Sequence, residues 1–203
     1  MRWLVSLAIS CAVVGDAGAE STRAVHSLRE MRHANVVVQQ WDTSCGAAAL
    51  STLLTYQHGL PLSEKTIAEA MLQRTDPLKV KVRGGFSLLD LKRYADAQGL
   101  QGIGYMNLSL ENLLEIAPAI VPVEFRGYPH FVVVRGRSAD KMLIADPAFG
   151  NRTVEVSSFE RTWQGKIGFI VQRRDGKAPP NRLTFQPIDT LRPSDAAIRS
   201  ALQ

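Results

Sequence analysis

The sequence predicts an α+β fold, with N-terminal helices packed on a C-terminal antiparallel sheet. Two observations carry that expectation. Up to Gly99 the apolar residues recur at helical spacing behind good N-caps, and beyond it short β-branched runs alternate with tight turns. Helices and strands are therefore segregated along the chain rather than alternating, which separates α+β from a doubly wound α/β architecture.

Taken in order, Val36-Val37-Val38 is a β-branched run expected to be extended, and Trp41-Asp42-Thr43-Ser44 is a loop. Gly46 to Leu50, then Leu53, Leu54 and Tyr56, form a buried helix beginning at Cys45 and ending near Gly59. Ser63 caps a second helix reaching about Arg74, which Asp76-Pro77 breaks, and Gly84-Gly85 marks a loop. Ser87 and Asp90 form a capping box for a third helix that Gly99 ends. Gly102 to Asn107 reads as a strand, and Ser109 caps a short helix through Ile116. Ala119 to Phe125, His130 to Arg137 and Lys141 to Asp146 are strands, joined by turns at Gly127-Tyr128-Pro129 and Ser138-Ala139-Asp140. Thr153 to Val156 and Gly168 to Gln172 complete the sheet, with a helical turn around Phe159 to Trp163. From Asp175 a proline-bearing arm runs to a short helix at Ser194 to Leu202.

The first residues read as a targeting segment. Arg2 precedes an apolar run from Trp3 to Val14, and Ala17-Gly18-Ala19 supplies a small-x-small cleavage site before Glu20. The run is too short to cross a hydrocarbon core of ~30 Å. A lipidated Cys11 would leave too short an apolar stretch and lacks a leucine three residues earlier. The organisation expected is thus a signal peptide at 1–19, a polar lead-in at 20–34, one domain at 35–174 and an extension at 175–203. An exported, periplasmic protein follows, without stable membrane insertion, since no other segment reaches the ~18 apolar residues of a spanning helix.

The net charge of +5 is spread among scattered arginines and lysines, so no arm for nucleic acid is formed. The histidines lack ligand spacing, so neither a metal nor a cofactor is expected. Of two cysteines, Cys11 leaves with the signal peptide, and Cys45 is a lone thiol in an oxidising compartment. It is either buried and inert or used.

Its neighbours favour use. Cys45 stands where a loop becomes a helix, so unpaired N–H groups and the positive end of the helix dipole favour a thiolate there. Gly46 would leave room for a substrate backbone. Of the four histidines, His26, His33 and His58 read as solvated surface residues, whereas His130 opens the apolar strand Phe131 to Val134. Sixteen residues on, Asp146 ends the next strand, so a hairpin sets it beside His130, where it can fix the imidazole tautomer. Gln39, six residues before Cys45, offers an amide for an oxyanion, with Gln40 as the rival.

Gln39, Cys45-Gly46 with the small residues and Leu50 behind it, His130 to Val133 and Ala145-Asp146-Pro147 together resemble the double-glycine leader peptidase family. The resemblance spans about residues 35 to 172 and implies a papain-like cysteine peptidase fold. It implies that Cys45 is the nucleophile, His130 the base and acid, Asp146 the orienter and Gln39 the oxyanion donor. Family members commonly carry Asp where this chain has Ser44, and are often fused to an exporter. The chain shows no P-loop, so it resembles a free-standing exported relative. The partners implied are a polypeptide substrate, cut after Gly-Gly, and components of a secretion system such as those for functional amyloid. The competing expectations are amidase or acyl-transfer chemistry with the same residues, and a catalytically idle domain that binds a leader or secretion partner.

Overall fold

A computed structural model describes residues 27–184. The signal-peptide reading, His26 and the helix expected at Ser194 to Leu202 lie outside those residues. Within them the segregation of helices and strands holds. Six strands, β1 (Leu100–Tyr105), β2 (Ala119–Phe125), β3 (Tyr128–Ser138), β4 (Lys141–Asp146), β5 (Gly150–Glu155) and β6 (Gly168–Arg173), form one sheet in the order β1-β6-β2-β3-β4-β5. Every pairing is antiparallel. The β2–β3 turn is Arg126-Gly127, both at positive φ (51° and 82°), the two-residue geometry that matches strand twist. Strand β3 therefore begins at Tyr128, two residues earlier than the sequence suggests.

The helices are α1 (Leu28–His33), α2 (Cys45–Thr52), α3 (Glu64–Leu72), α4 (Pro77–Arg83), α5 (Leu88–Ala97), α6 (Leu110–Glu115) and α7 (Val156–Thr162). Ser63, Ser87 and Ser109 cap α3, α5 and α6 through their hydroxyls, as expected. Asp76-Pro77 does not simply break a helix. Asp76 caps Leu78 N–H at 2.9 Å and Pro77 opens α4, where a missing N–H costs nothing. Gly84 ends α4 in the left-handed region (φ 76°). The valine run at 36–38 is extended but pairs with no strand of the sheet. The polar lead-in is also more than a lead: α1 has a full capping box, and Asn151 of β5 donates to Met31 O and Ala34 O.

The sheet carries a core on each face because successive residues of a strand alternate sides. On one face Val133, Ala145 and Phe169 pack against Leu50, Leu53 and Leu91. On the other, Val132, Val134 and Ile144 pack against Phe159, Trp163 and Leu113. Past Thr52 the helix widens into one π turn, Leu53–Gln57, and the carbonyls of Tyr56 and Gln57 accept from Arg182 N (2.7 Å) and Asn181 N (3.0 Å). The segment after β6 is thereby bound to the domain, with Leu183 fully buried in the first core.

Candidate active site

Cys45 is the first residue of α2, and among the described residues it is a free cysteine, 6% exposed. The first N–H groups of a helix have no acceptor inside it, so the sulfur sits among donors. Ala47, Ala48 and Ala49, all fully buried, let this helix lie close to the sheet. Gly46 belongs to the same packing. A Cβ there would lie 3.2 Å from Leu91 and 3.3 Å from Phe131, so its small size serves helix-to-strand approach and not, as the sequence suggested, an open space for substrate.

The loop before Cys45 is tied down by Glu64, which the sequence offers only as an acid in the first turn of α3. Its buried carboxylate accepts from Gln40 N–H at 3.1 Å and from the Ser44 hydroxyl, which also lies 2.7 Å from Trp41 O. Gly85 reaches the same loop beside Thr43 O. Gln39 is anchored at both ends. Its backbone N–H donates to Pro147 O (2.8 Å), and its amide donates to Trp41 O at 2.9 Å. Its Oε1 is buried and has no hydrogen-bond partner among the described residues. The rival Gln40 is exposed.

His130 and Asp146 meet as the hairpin requires. His130 stands third in β3 and Asp146 last in β4, and Nε2 of the imidazole lies 2.8 Å from Asp146 Oδ1. Acceptance by the carboxylate places a proton on Nε2 and leaves Nδ1 as the other titrating nitrogen, in a ring on which Cys45 also acts. Burial by itself would lower the His130 pKa. The hydrogen bonds to Asp146 and Cys45, and the negative charge on both, outweigh it and raise the value from 6.5 to about 9. Near neutral pH the ring is therefore an imidazolium.

Asp146 is nearly inaccessible, its side chain 3% exposed. Besides His130 it accepts from Ala148 N–H at 2.9 Å, and Arg152 approaches its Oδ2 at 3.5 Å. Arg152 lies on β5, opposite Ile144, and so on the same face as Asp146. As an isolated basic residue in a strand it carries no signal in the sequence. A cavity of about 300 Å³ opens on this face, with His130 and Asp146 in its wall and Phe125, Tyr128 and Phe149 among the residues around it.

His58 is not the surface residue expected. It is 4% exposed, donates from Nε2 to Val171 O (3.1 Å), and has no partner for Nδ1 among the described residues. Burial, helped by the charge of Arg173 and opposed by the bond to Val171, lowers its pKa and keeps it neutral. His33 is exposed, as read. Among the described residues no group of three or more potential metal ligands occurs.

Comparison with known proteins gives this geometry a context. A model of the peptidase C39 family matches residues 33–175. Two curated relatives, each named probable functional amyloid protease FapD, are 35% identical over 190 residues in Pseudomonas aeruginosa and 38% identical over 188 in Pseudomonas fluorescens. These matches cover 91% and 90% of this chain, and 83% and 81% of the relatives. Among solved structures, the peptidase domain of Streptococcus ComA, a bifunctional ABC transporter of a quorum-sensing pathway, superposes with a TM-score of 0.57 at 20% identity. That match covers 68% of this chain and 98% of the ComA domain, and speaks for the fold alone.

Proposed function

This chain belongs to the peptidase C39 family and is a cysteine peptidase, and we propose that Cys45, His130, Asp146 and Gln39 perform its chemistry on an exported polypeptide. The observation that carries the proposal is the hold on one imidazole, Nε2 at 2.8 Å from Asp146 Oδ1, in a ring on which Cys45 also acts electrostatically.

The steps follow from those positions. The Cys45 thiolate attacks the scissile carbonyl, and the oxyanion that forms is met by N–H groups at the start of α2. The Gln39 amide is the second donor in this reading; its Nε2 donates to Trp41 O at 2.9 Å and to Asp42 O at 3.5 Å, so one of these bonds must open for it to reach the oxyanion. As the tetrahedral intermediate collapses, the C–N bond breaks and the His130 imidazolium gives its proton to the leaving amine. Neutral His130 then takes a proton from water, whose oxygen bonds to the thioester carbonyl carbon; the C–S bond breaks, releasing the acid and restoring the thiolate–imidazolium pair. Asp146 holds the ring and its tautomer through both halves.

The substrate class rests on different support. Residues 1–19 have the pattern of a signal peptide, and the two relatives are named as proteases of functional amyloid. We infer an exported enzyme that cuts a secreted polypeptide during such a secretion or maturation pathway, after a Gly-Gly pair. The test is to compare the host strain carrying wild-type protein with one carrying Cys45→Ala. An exported polypeptide that accumulates uncut in the variant, with the wild-type cut after Gly-Gly, is the expected result. An unchanged exported proteome would return the domain to the binding role.

A further inference from the structure

Strands β2 and β5 are separated in the sheet by β3 and β4, about 14 Å apart at ~4.8 Å per strand. They nonetheless meet. The Arg152 guanidinium of β5 lies 5.8 Å from the ring of Phe125 at the end of β2, and 5.5 Å from Phe149 in the β4–β5 turn. Both distances are in the range of cation–π contact. Val123 pairs with His130, so Phe125, His130, Asp146 and Arg152 project from one face of the sheet. Arg152, in contact with both rings, therefore reaches across the face on which the two middle strands carry His130 and Asp146.

We infer that Arg152 is a positioning residue for the Asp146–His130 pair, held in an aromatic clamp formed by Phe125 and Phe149. The inference rests on the peptidase reading above. The guanidinium lies 3.5 Å from Asp146 Oδ2 while Oδ1 accepts from His130 and Ala148 N–H, so both carboxylate oxygens have a partner and rotation of the group would break these contacts. It also opposes part of the negative charge that the imidazolium feels, and so limits how tightly the proton is retained on the ring. Arg152 alone, on a strand and one-third exposed, would spend much of its side-chain entropy in holding that position. The two rings hold it there already. The other charged or titratable groups around the pair are Cys45 from α2 and Glu124, Arg126 and Tyr128 flanking the β2–β3 turn. Arg126, in that turn, lies 5.7 Å from the Phe125 ring centroid.

The test uses the whole protein and two readouts, iodoacetamide alkylation of Cys45 against pH and peptide hydrolysis. A thiolate paired with imidazolium reacts more slowly than a free one, so the wild-type alkylation rate should plateau near neutrality and rise again as His130 loses its proton. In R152Q that second rise should move to higher pH by about half a unit to one unit, because the opposing charge is gone. Its kcat should fall about tenfold with KM changed less than about threefold. R152K keeps the charge and should restore the position of the second rise but not all of kcat. Phe125→Ala should shift the rise in the same direction as R152Q, by less. A purely structural arginine would lower the melting temperature and leave the second rise in place in every variant, and that result overturns the inference. If wild type itself reacts only above about pH 8.5, as an ordinary thiol does, the peptidase reading fails instead.

Discussion

At the scale of single residues, the decisive one is Asp146. Its carboxylate is what keeps His130 protonated to about pH 9 against the cost of burial. Asp146→Asn removes the charge while keeping the shape, so the alkaline limb of the peptidase pH profile should fall to lower pH, with kcat down on the order of 10²-fold. A pH–rate profile on a peptide substrate checks both. The same shift has a sign in stability. The folded value lies above the unfolded 6.5, so the contribution is fully present below about pH 6.5 and is lost as pH rises through about 9. Denaturation midpoints should drop between about pH 6 and about pH 10, and drop less in Asp146→Asn. Equal drops in the two proteins would remove His130 as the source.

At the scale of elements, Cys45 is placed by a contact between α3 and the loop ahead of α2. Glu64, at the first turn of α3, holds Gln40 N–H and the Ser44 hydroxyl, and so sets the path of the chain into Cys45. Glu64→Ala leaves Gln40 N–H without its acceptor, at about 1–3 kcal/mol if it stays buried, and leaves the Ser44 hydroxyl only Trp41 O. Peptidase activity should fall further than the loss of folded protein accounts for, while Glu64→Gln, which retains an acceptor oxygen, should recover part of it. Thermal melts run beside activity assays separate the two effects. The caps are simpler. Asp76→Ala removes the acceptor for Leu78 N–H at the start of α4 and should cost about 1 kcal/mol, measurable by urea denaturation. Peptidase activity per folded molecule should stay unchanged, because Asp76 is an exposed cap at the end of α4 opposite Gly84 and Gly85.

For the whole molecule, one sheet divides two cores, and the segment after β6 closes the first of them. Leu183 is fully buried there, and its carbonyl accepts from Arg135 Nε at 3.0 Å. Leu183→Ala should lower stability by about 2–5 kcal/mol, the range for a buried leucine whose cavity does not collapse, and calorimetry reads it as a lower melting temperature. This segment binds where the helix ends, because the last carbonyls of a helix, here Tyr56 and Gln57, have no helical partners. The residues between 176 and 183 thus extend the stable unit past the end of the family match at 175.

Much of this was legible in the chain itself. Ser63, Ser87 and Ser109 announce helix starts because capping is a local event. The strands Ala119–Phe125 and Lys141–Asp146 coincide with their β-branched runs. The nearness of His130 and Asp146 follows from hairpin arithmetic, which depends only on sequence separation and a tight turn. What the chain alone could not express are contacts between elements far apart in sequence. Glu64 and Arg152 are ordinary charged residues until folding sets them against Ser44 and Asp146. His58 looks exposed at a helix end until β6 covers it. Gly46 looks like room for substrate until Leu91 and Phe131 occupy it. Local hydrogen bonding and periodicity determined the elements and the order of the reactive groups. Long-range packing alone decided which charges surround them, because burial and Coulomb interaction depend on distance in space and not on distance along the chain.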